Sequence, residues 1–197
     1  MIIYLHGFSS GAASYKAQAL KALLSPIPFL VPEYLAHQPS VAVPSLIRYI
    51  ENNVTAHRAP FVMLVGSSLG GYYARYLATV IEAVNSVVLI NPALNPGDTL
   101  DVCLGQNTNM VTGEPFELTP DDLRNLRTYD VPRAGVLKPT LVLLDAGDEV
   151  IDYRVAETFY QDRGQVIVYP GGSHRFEHLN EAAREITAFY HKSSLAS

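Results

Sequence analysis

The chain contains no tryptophan and only one cysteine, Cys103, in 197 residues. A single thiol cannot close an intrachain disulfide, so the fold is held without covalent staples, and this cysteine usage suits a reducing compartment. No histidine accompanies Cys103 in a motif, which makes it a structural thiol rather than a nucleophile. Basic residues are also few: 14 Lys and Arg stand against 19 Asp and Glu, for a net charge of −5. No cluster of them could neutralise several phosphates, so nucleic acid is not an expected partner. No apolar run approaches the ~18 residues that a membrane-spanning helix needs. The opening residues, Met1-Ile-Ile-Tyr-Leu-His6, lack the basic n-region and the length of a signal peptide. The expected setting is therefore cytoplasmic, away from membranes. Internal repeats, low-complexity tracts and linkers are missing too. With 48% hydrophobic and 17% charged residues, this length suits one buried core, and a single domain over 1–197 is expected.

Segments with strand character alternate with segments of helical periodicity. Residues 2–5, 29–31, 61–65, 86–90, 140–144 and 165–169 read as strands. Residues 14–24, 44–53, 72–80, 153–162 and 176–192 read as helices, the first with Ala17, Leu20, Leu23 and Leu24 on one face and the second with Leu46, Ile47, Ile50 and Val54. Near-continuous apolar strands between helices predict an α/β fold, with a mostly parallel sheet covered on both faces. Ligands in such sheets bind beyond the carboxyl ends of the strands. One stretch breaks the alternation. Residues 92–138 separate two strands by far more than a helix requires, and a connection of this length predicts a cap or lid insertion. It holds a short helix signal at Thr119-Pro120-Asp121-Asp122, with Thr119 as N-cap.

The strand at 61–65 runs directly into Gly66-Ser67-Ser68-Leu69-Gly70-Gly71-Tyr72. Serine at the corner of a strand-to-helix turn, framed by glycines, is a mechanical arrangement: the corner backbone is strained, the hydroxyl is pushed into the open, and the flanking positions lack side chains so that strand and helix can approach. Ser68, central in the Gly66-x-Ser-x-Gly70 frame, is the candidate nucleophile ahead of Ser67. Two later strands end in suitable partners. Asp148 follows one in Asp145-Ala-Gly-Asp148-Glu-Val-Ile, and His174 follows another in Gly171-Gly-Ser-His174. Ser68 would attack an acyl carbonyl, His174 would take and return the proton, and Asp148 would orient the imidazole. The backbone N–H groups of Leu69 and of Phe8, after the first strand, are the expected oxyanion donors. Asp145 competes with Asp148 as a structural or alternative acid, while Asp152 reads as the cap of the next helix. His6 reads as structural, and His37, His57 and His191 as surface residues. Tyr72, Tyr73 and Tyr76 read as packing residues and Arg75 as half of an ion pair. Ser9, Ser10 and Gly11 form a small loop expected to border the acyl pocket.

His174-Arg-Phe-Glu177-His178 also matches the zinc-protease pattern H-x-x-E-H. That reading needs both histidines inside one helix and a further ligand. The glycines before His174 place it in a loop, and zinc would leave Ser68 and Asp148 unexplained.

The order Ser, Asp, His along the chain is that of α/β-hydrolases. His6-Gly7-Phe8-Ser9-Ser10, Gly66-Ser-Ser68-Leu-Gly-Gly-Tyr-Tyr-Ala74, Asn91-Pro92-Ala93, Gly147-Asp148-Glu149-Val150-Ile151-Asp152-Tyr153 and Gly171-Gly-Ser-His174 together resemble the small bacterial YqiA/YcfP-like esterases, the UPF0227 group of the α/β-hydrolase superfamily. The resemblance covers nearly the whole chain and is weakest over 92–138. That family usually has Asn-His where this chain has Ser173-His174. The resemblance implies an α/β-hydrolase sheet without the superfamily's first strands. It also implies carboxylic-ester hydrolysis, a Ser68/Asp148/His174 triad, and no metal or organic cofactor. The serine elbow and the two strand-end loops themselves point to an esterase or thioesterase acting on a small, soluble acyl substrate. A ligand-binding protein on the same scaffold, or an acyltransferase using the same three residues, are the alternatives.

Overall fold

The computed structural model describes residues 1–132 and 138–196. Its elements, in order, are β1 (Ile2–Leu5), α1 (Tyr15–Leu23), β2 (Phe29–Leu30), α2 (Pro39–His57), β3 (Met63–Ser67), α3 (Leu69–Val80), β4 (Ser86–Ile90), α4 (Pro96–Thr99), a 3₁₀ turn (Asp101–Cys103), β5 (Gly105–Thr108), β6 (Pro115–Leu118), α5 (Pro120–Arg127), β7 (Thr140–Asp145), α6 (Tyr153–Tyr160), β8 (Gln165–Tyr169) and α7 (Leu179–Leu195).

Six strands form one sheet in the order β2-β1-β3-β4-β7-β8, and every pairing in it is parallel. Successive strand residues point to opposite faces, and the core divides accordingly. Ile3, Leu5, Leu64, Leu89, Val142 and Leu144 pack on the face covered by α2, α3, α5 and α6. Ile2, Tyr4, Met63, Val65, Val88, Ile90, Leu141 and Leu143 pack on the face covered by α1 and α7. A sheet sealed on both sides explains why its strands read as apolar runs rather than as alternating ones.

Helix α2 differs from the expected 44–53. It begins at Pro39 and carries Pro44 inside. An interior proline removes one backbone hydrogen bond and costs about 3 kcal/mol. Here Ala42 and Val43 are buried beside Leu46 and Ile50, so the apolar face extends past the proline and offsets that loss. The last helix starts at Leu179 rather than at Phe176, because Phe176 has φ 64 and belongs to the preceding turn.

The stretch between β4 and β7 contains α4, the 3₁₀ turn, an antiparallel hairpin of β5 and β6, and α5. Residues 133–137 of the expected insertion lie outside the described residues. Helix α5 starts with a capping box, in which Thr119 accepts from the Asp122 N–H and Asp122 accepts from the Thr119 N–H. Leu123 and Leu126 bury its inner face, and Tyr72 of α3 donates its hydroxyl to the Leu126 carbonyl. Among the described residues, no helix is long and apolar enough to cross a membrane.

Candidate active site

Ser68 stands between β3 and α3 with φ 53 and ψ −122. Non-glycine residues rarely adopt positive φ, and holding one there costs on the order of 1–3 kcal/mol. The surrounding backbone leaves no cheaper option. A Cβ at Gly66 would lie 2.3 Å from the Gly70 carbonyl oxygen, and a Cβ at Gly70 would lie 2.1 Å from that of Leu5. Strand, corner and helix therefore meet closely only because these two positions have no side chain. Within the corner, the Ser68 carbonyl accepts from Gly71 N–H at 2.9 Å and from Ala93 N–H at 3.1 Å. Ser67, the competing hydroxyl, is buried on the other side of the strand and accepts a 2.7 Å hydrogen bond from the Lys16 ammonium.

His174 reaches Ser68 from the loop after β8, with Nε2 at 3.0 Å from Oγ. Its Nδ1 lies 2.8 and 3.0 Å from the two carboxylate oxygens of Asp148. A carboxylate only accepts, so Nδ1 carries the proton and Nε2 is left free to accept from the serine hydroxyl. Asp148 is in turn held by its own loop. Its Oδ1 accepts from Val150 N–H at 2.9 Å and from Ile151 N–H at 2.8 Å. Burial alone would raise its pKa. The hydrogen bonds from His174, Ile151 and Val150 outweigh burial and keep the carboxyl below its ordinary value, so it is ionised through the neutral range.

The loop after β1 forms the opposite wall. A Cβ on Gly7 would lie 3.1 Å from Ser68 Cβ and 3.6 Å from Oγ, which sets this loop directly against the serine. Among the described residues, neither the Phe8 nor the Leu69 N–H has an intramolecular hydrogen-bond acceptor. Both are thus open to an outside acceptor, and Leu69 adds the positive end of α3. The loop is fastened from elsewhere. Met110 N–H donates to the Ser9 carbonyl at 2.9 Å, Asn109 Nδ2 donates to the Ser10 carbonyl at 3.0 Å, and the Phe8 and Phe116 rings meet edge to face at 5.3 Å. Ser9 and Ser10, with Tyr34, His37, Asn109 and Phe116, line a small pocket of about 110 Å³.

His6 is buried, stacks on Tyr34 with ring centroids 4.2 Å apart, and places Nδ1 3.1 Å from the Gly7 carbonyl. Burial holds its pKa below the ordinary value, against the opposing pull of that carbonyl and of Glu33. Its Nε2 is buried without a hydrogen-bond partner among the described residues. His37, expected on the surface, is half-buried instead, because the hairpin lays Phe116 against its ring at 4.3 Å. His57 and His191 are exposed. Asp152 caps α6 by accepting from Arg154 N–H. Arg75 makes no ion pair among the described residues. It is buried, donates to the Leu94 and Val131 carbonyls at 3.2 Å each, and lies over the Phe159 ring.

The two histidines of the H-x-x-E-H pattern do not converge. His174 turns its Nδ1 to Asp148, while His178 turns its own to Asp145 at 2.7 Å. This second pairing, the Glu149 carboxylate that accepts from His174 N–H at 2.9 Å, and the Lys16 ammonium are not visible as site features in the linear sequence. Only the recurrence of two aspartates at the end of one strand and two histidines after the next could have signalled the pairing.

Among solved structures, Est1E from Butyrivibrio proteoclasticus superposes with a TM-score of 0.80 at 16% identity, covering 100% of this chain and 88% of that one. The monoacylglycerol lipase of Paleococcus ferrophilus gives 0.71 at 16% identity, with 98% and 94% covered. These likenesses show the α/β-hydrolase fold. A UPF0227 protein of Vibrio cholerae serotype O1 is 23% identical over 193 residues, spanning 96% of this chain and 98% of the relative. The model of the family described as "Uncharacterised protein family (UPF0227)" matches residues 1–191, and the chain belongs to that family.

Proposed function

We propose that this protein is a serine hydrolase that cleaves carboxylic esters or thioesters of small soluble acyl compounds through an acyl-enzyme. One observation carries the reading. A continuous hydrogen-bonded run, Ser68 Oγ to His174 Nε2 and His174 Nδ1 to Asp148, joins three loops that follow three different strands. Packing alone gives no reason for a strained serine, a mostly buried imidazole and a nearly sealed carboxylate to align.

In this reading Ser68 Oγ attacks the acyl carbonyl as His174 Nε2 takes its proton. The tetrahedral oxyanion accepts from the N–H groups of Phe8 and Leu69. His174 then protonates the leaving alcohol or thiol, and the acyl group remains on Ser68. Water, deprotonated by the same nitrogen, repeats the sequence and releases the acid. Asp148 stays ionised throughout and stabilises the imidazolium that forms twice. The structural likeness to a protein described as a monoacylglycerol lipase agrees with this reading.

The test is covalent and kinetic. A fluorophosphonate probe is expected to label Ser68 stoichiometrically in the folded protein. Ser68→Ala is expected to lower turnover of a short-chain aryl ester by about 10⁴-fold or more. Folded protein that takes up no label and turns over no ester would make the chain a binder on a hydrolase scaffold. Product analysis with added alcohols separates hydrolysis from acyl transfer.

A further inference from the structure

Resting on the hydrolase reading, we propose that Asp145 and His178 form a second aspartate–histidine couple that positions His174 by gripping the backbone on both sides of it, without touching substrate.

Asp145 is the last residue of β7, and its side chain is completely buried. A carboxylate in such a place needs donors on every side, because an unmet buried charge costs far more than any single hydrogen bond returns. Oδ2 accepts from Ser173 N–H at 3.2 Å and from Glu177 N–H at 2.8 Å. Oδ1 accepts from His178 Nδ1 at 2.7 Å. The first two donors lie on either side of His174, so one rigid carboxylate sets both ends of the arc that carries the imidazole.

Asn91, the residue after β4, completes the grip. It is buried with φ 40. Its Oδ1 accepts from Asp145 N–H at 2.9 Å and its Nδ2 donates to the Ser173 carbonyl at 3.0 Å. Ser173 is therefore held at its N–H by Asp145 and at its carbonyl by Asn91. Gly172 allows the approach: its φ is +74, and a Cβ there would overlap the Asp145 carboxylate.

His178 is the replaceable member of this set. Its side chain is 24% exposed, and its ring stacks on Tyr169 at 4.8 Å with an 11° tilt. Because Asp145 can only accept, His178 carries its proton on Nδ1. Removing that donor frees Oδ1 beside another attraction, since the Lys16 ammonium already feels the charge of both Asp148 and Asp145. A carboxylate drawn toward Lys16 loosens its hold on Ser173 and Glu177, and the imidazole drifts from Ser68. Misplacement by about 1 Å can cost about 10²-fold in rate. Asp145 is not an alternative triad acid in this arrangement, because its oxygens serve residues 173, 177 and 178 while His174 Nδ1 belongs to Asp148.

The experiment compares the parent chain with His178→Phe, which retains a ring against Tyr169 but has no donor, and with His178→Asn, whose amide nitrogen can stand where Nδ1 stood. The readouts are the fluorophosphonate labelling rate at Ser68, kcat and KM for an aryl ester, and the melting temperature. His178→Phe is expected to lower kcat and labelling about tenfold or more with KM unchanged, and His178→Asn to recover most of that loss. If His178→Phe does not fold, His178→Ala takes its place with the same expectation. Parent labelling matched by His178→Phe overturns the inference alone, as does an equal loss in His178→Asn. A folded parent that takes no label overturns the hydrolase reading and this inference with it.

Discussion

The loops after β7 and β8 and the hairpin of β5 and β6 both help to shape the surroundings of Ser68, but they are secured by different physics. The first pair hangs from the fully buried strand β7 and the half-buried edge strand β8 beside it, and is tied by buried or nearly buried carboxylates, Asp145 and Asp148, each with several donors. The hairpin has half-exposed strands and a tip at Met110 that is 78% exposed. It reaches the site through one backbone bond, one side-chain bond and one ring contact to residues 8–10. Charge buried among fixed donors resists displacement, because every lost bond leaves an unsatisfied group. Half-exposed hydrogen bonds exchange with water at little cost, so such segments open at low free energy. The side of the site that holds His174 and Asp148 is thus the rigid side, and the wall over the Phe8 loop is the adjustable one.

This contrast predicts a graded set of effects. The largest belongs to Asp148→Asn. The amide still accepts from Val150 and Ile151 but no longer favours the Nδ1-protonated form of His174, and kcat is expected to fall about 10⁴-fold with little change in KM. A loss below about tenfold in a properly folded variant would remove Asp148 from its assigned role.

The next effect concerns buried charge and pH. Burial lowers the pKa of Lys16 to about 8, against the opposing pull of Asp148 and Asp145. Its folded value lies below its unfolded value of 10.5, so between these limits the unfolded chain binds more protons and stability rises with pH. Relative to Lys16→Met, the parent is expected to gain about 1–3 kcal/mol as pH rises through that window. Parallel stability curves for the two proteins in urea titrations at pH 7.5 and 10.5 would show that the amine is not held as described.

Smaller effects are expected on the hairpin. Asn109→Ala removes the bond to the Ser10 carbonyl and the acceptor for Val111 and Thr112 N–H. Turnover is expected to drop by about tenfold or less, with a shift in preference among acyl chains. A change as large as that of Asp148→Asn would erase the distinction between the two regions. Met110→Ser at the tip is expected to move stability by no more than about 0.5 kcal/mol, checked by thermal melting.

The α/β sheet could be read from the sequence because a strand buried on both faces must be apolar throughout, as at 86–90 and 140–144, and because 165–169, half-buried at the sheet edge, keeps the apolar run Val166-Ile167-Val168; all three are bounded by turn-forming residues. The hairpin could not be read, since Gly105-Gln106-Asn107-Thr108 offers no apolar alternation and its pairing depends on β6 lying alongside. The start of helix α2 is hidden for a related reason: Pro44 looks like a start signal, and only the burial of Ala42 and Val43 shows that the helix begins earlier. In the site, the strain at Ser68 was legible from its glycine frame, because backbone sterics act locally. The burial of His37 is invisible in the sequence because its cover, Phe116, comes from a distant segment.

Residue chemistry and short-range order were already present in the linear chain: a serine between glycines, two aspartates three apart, two histidines four apart, each set after an apolar strand. Partnership was settled only by the folded molecule. Which aspartate meets which histidine depends on the paths of the loops after β7 and β8, which set Asp148 against His174 and Asp145 against His178. Hydrogen bonds form over about 3 Å, a scale on which distance along the chain carries no information.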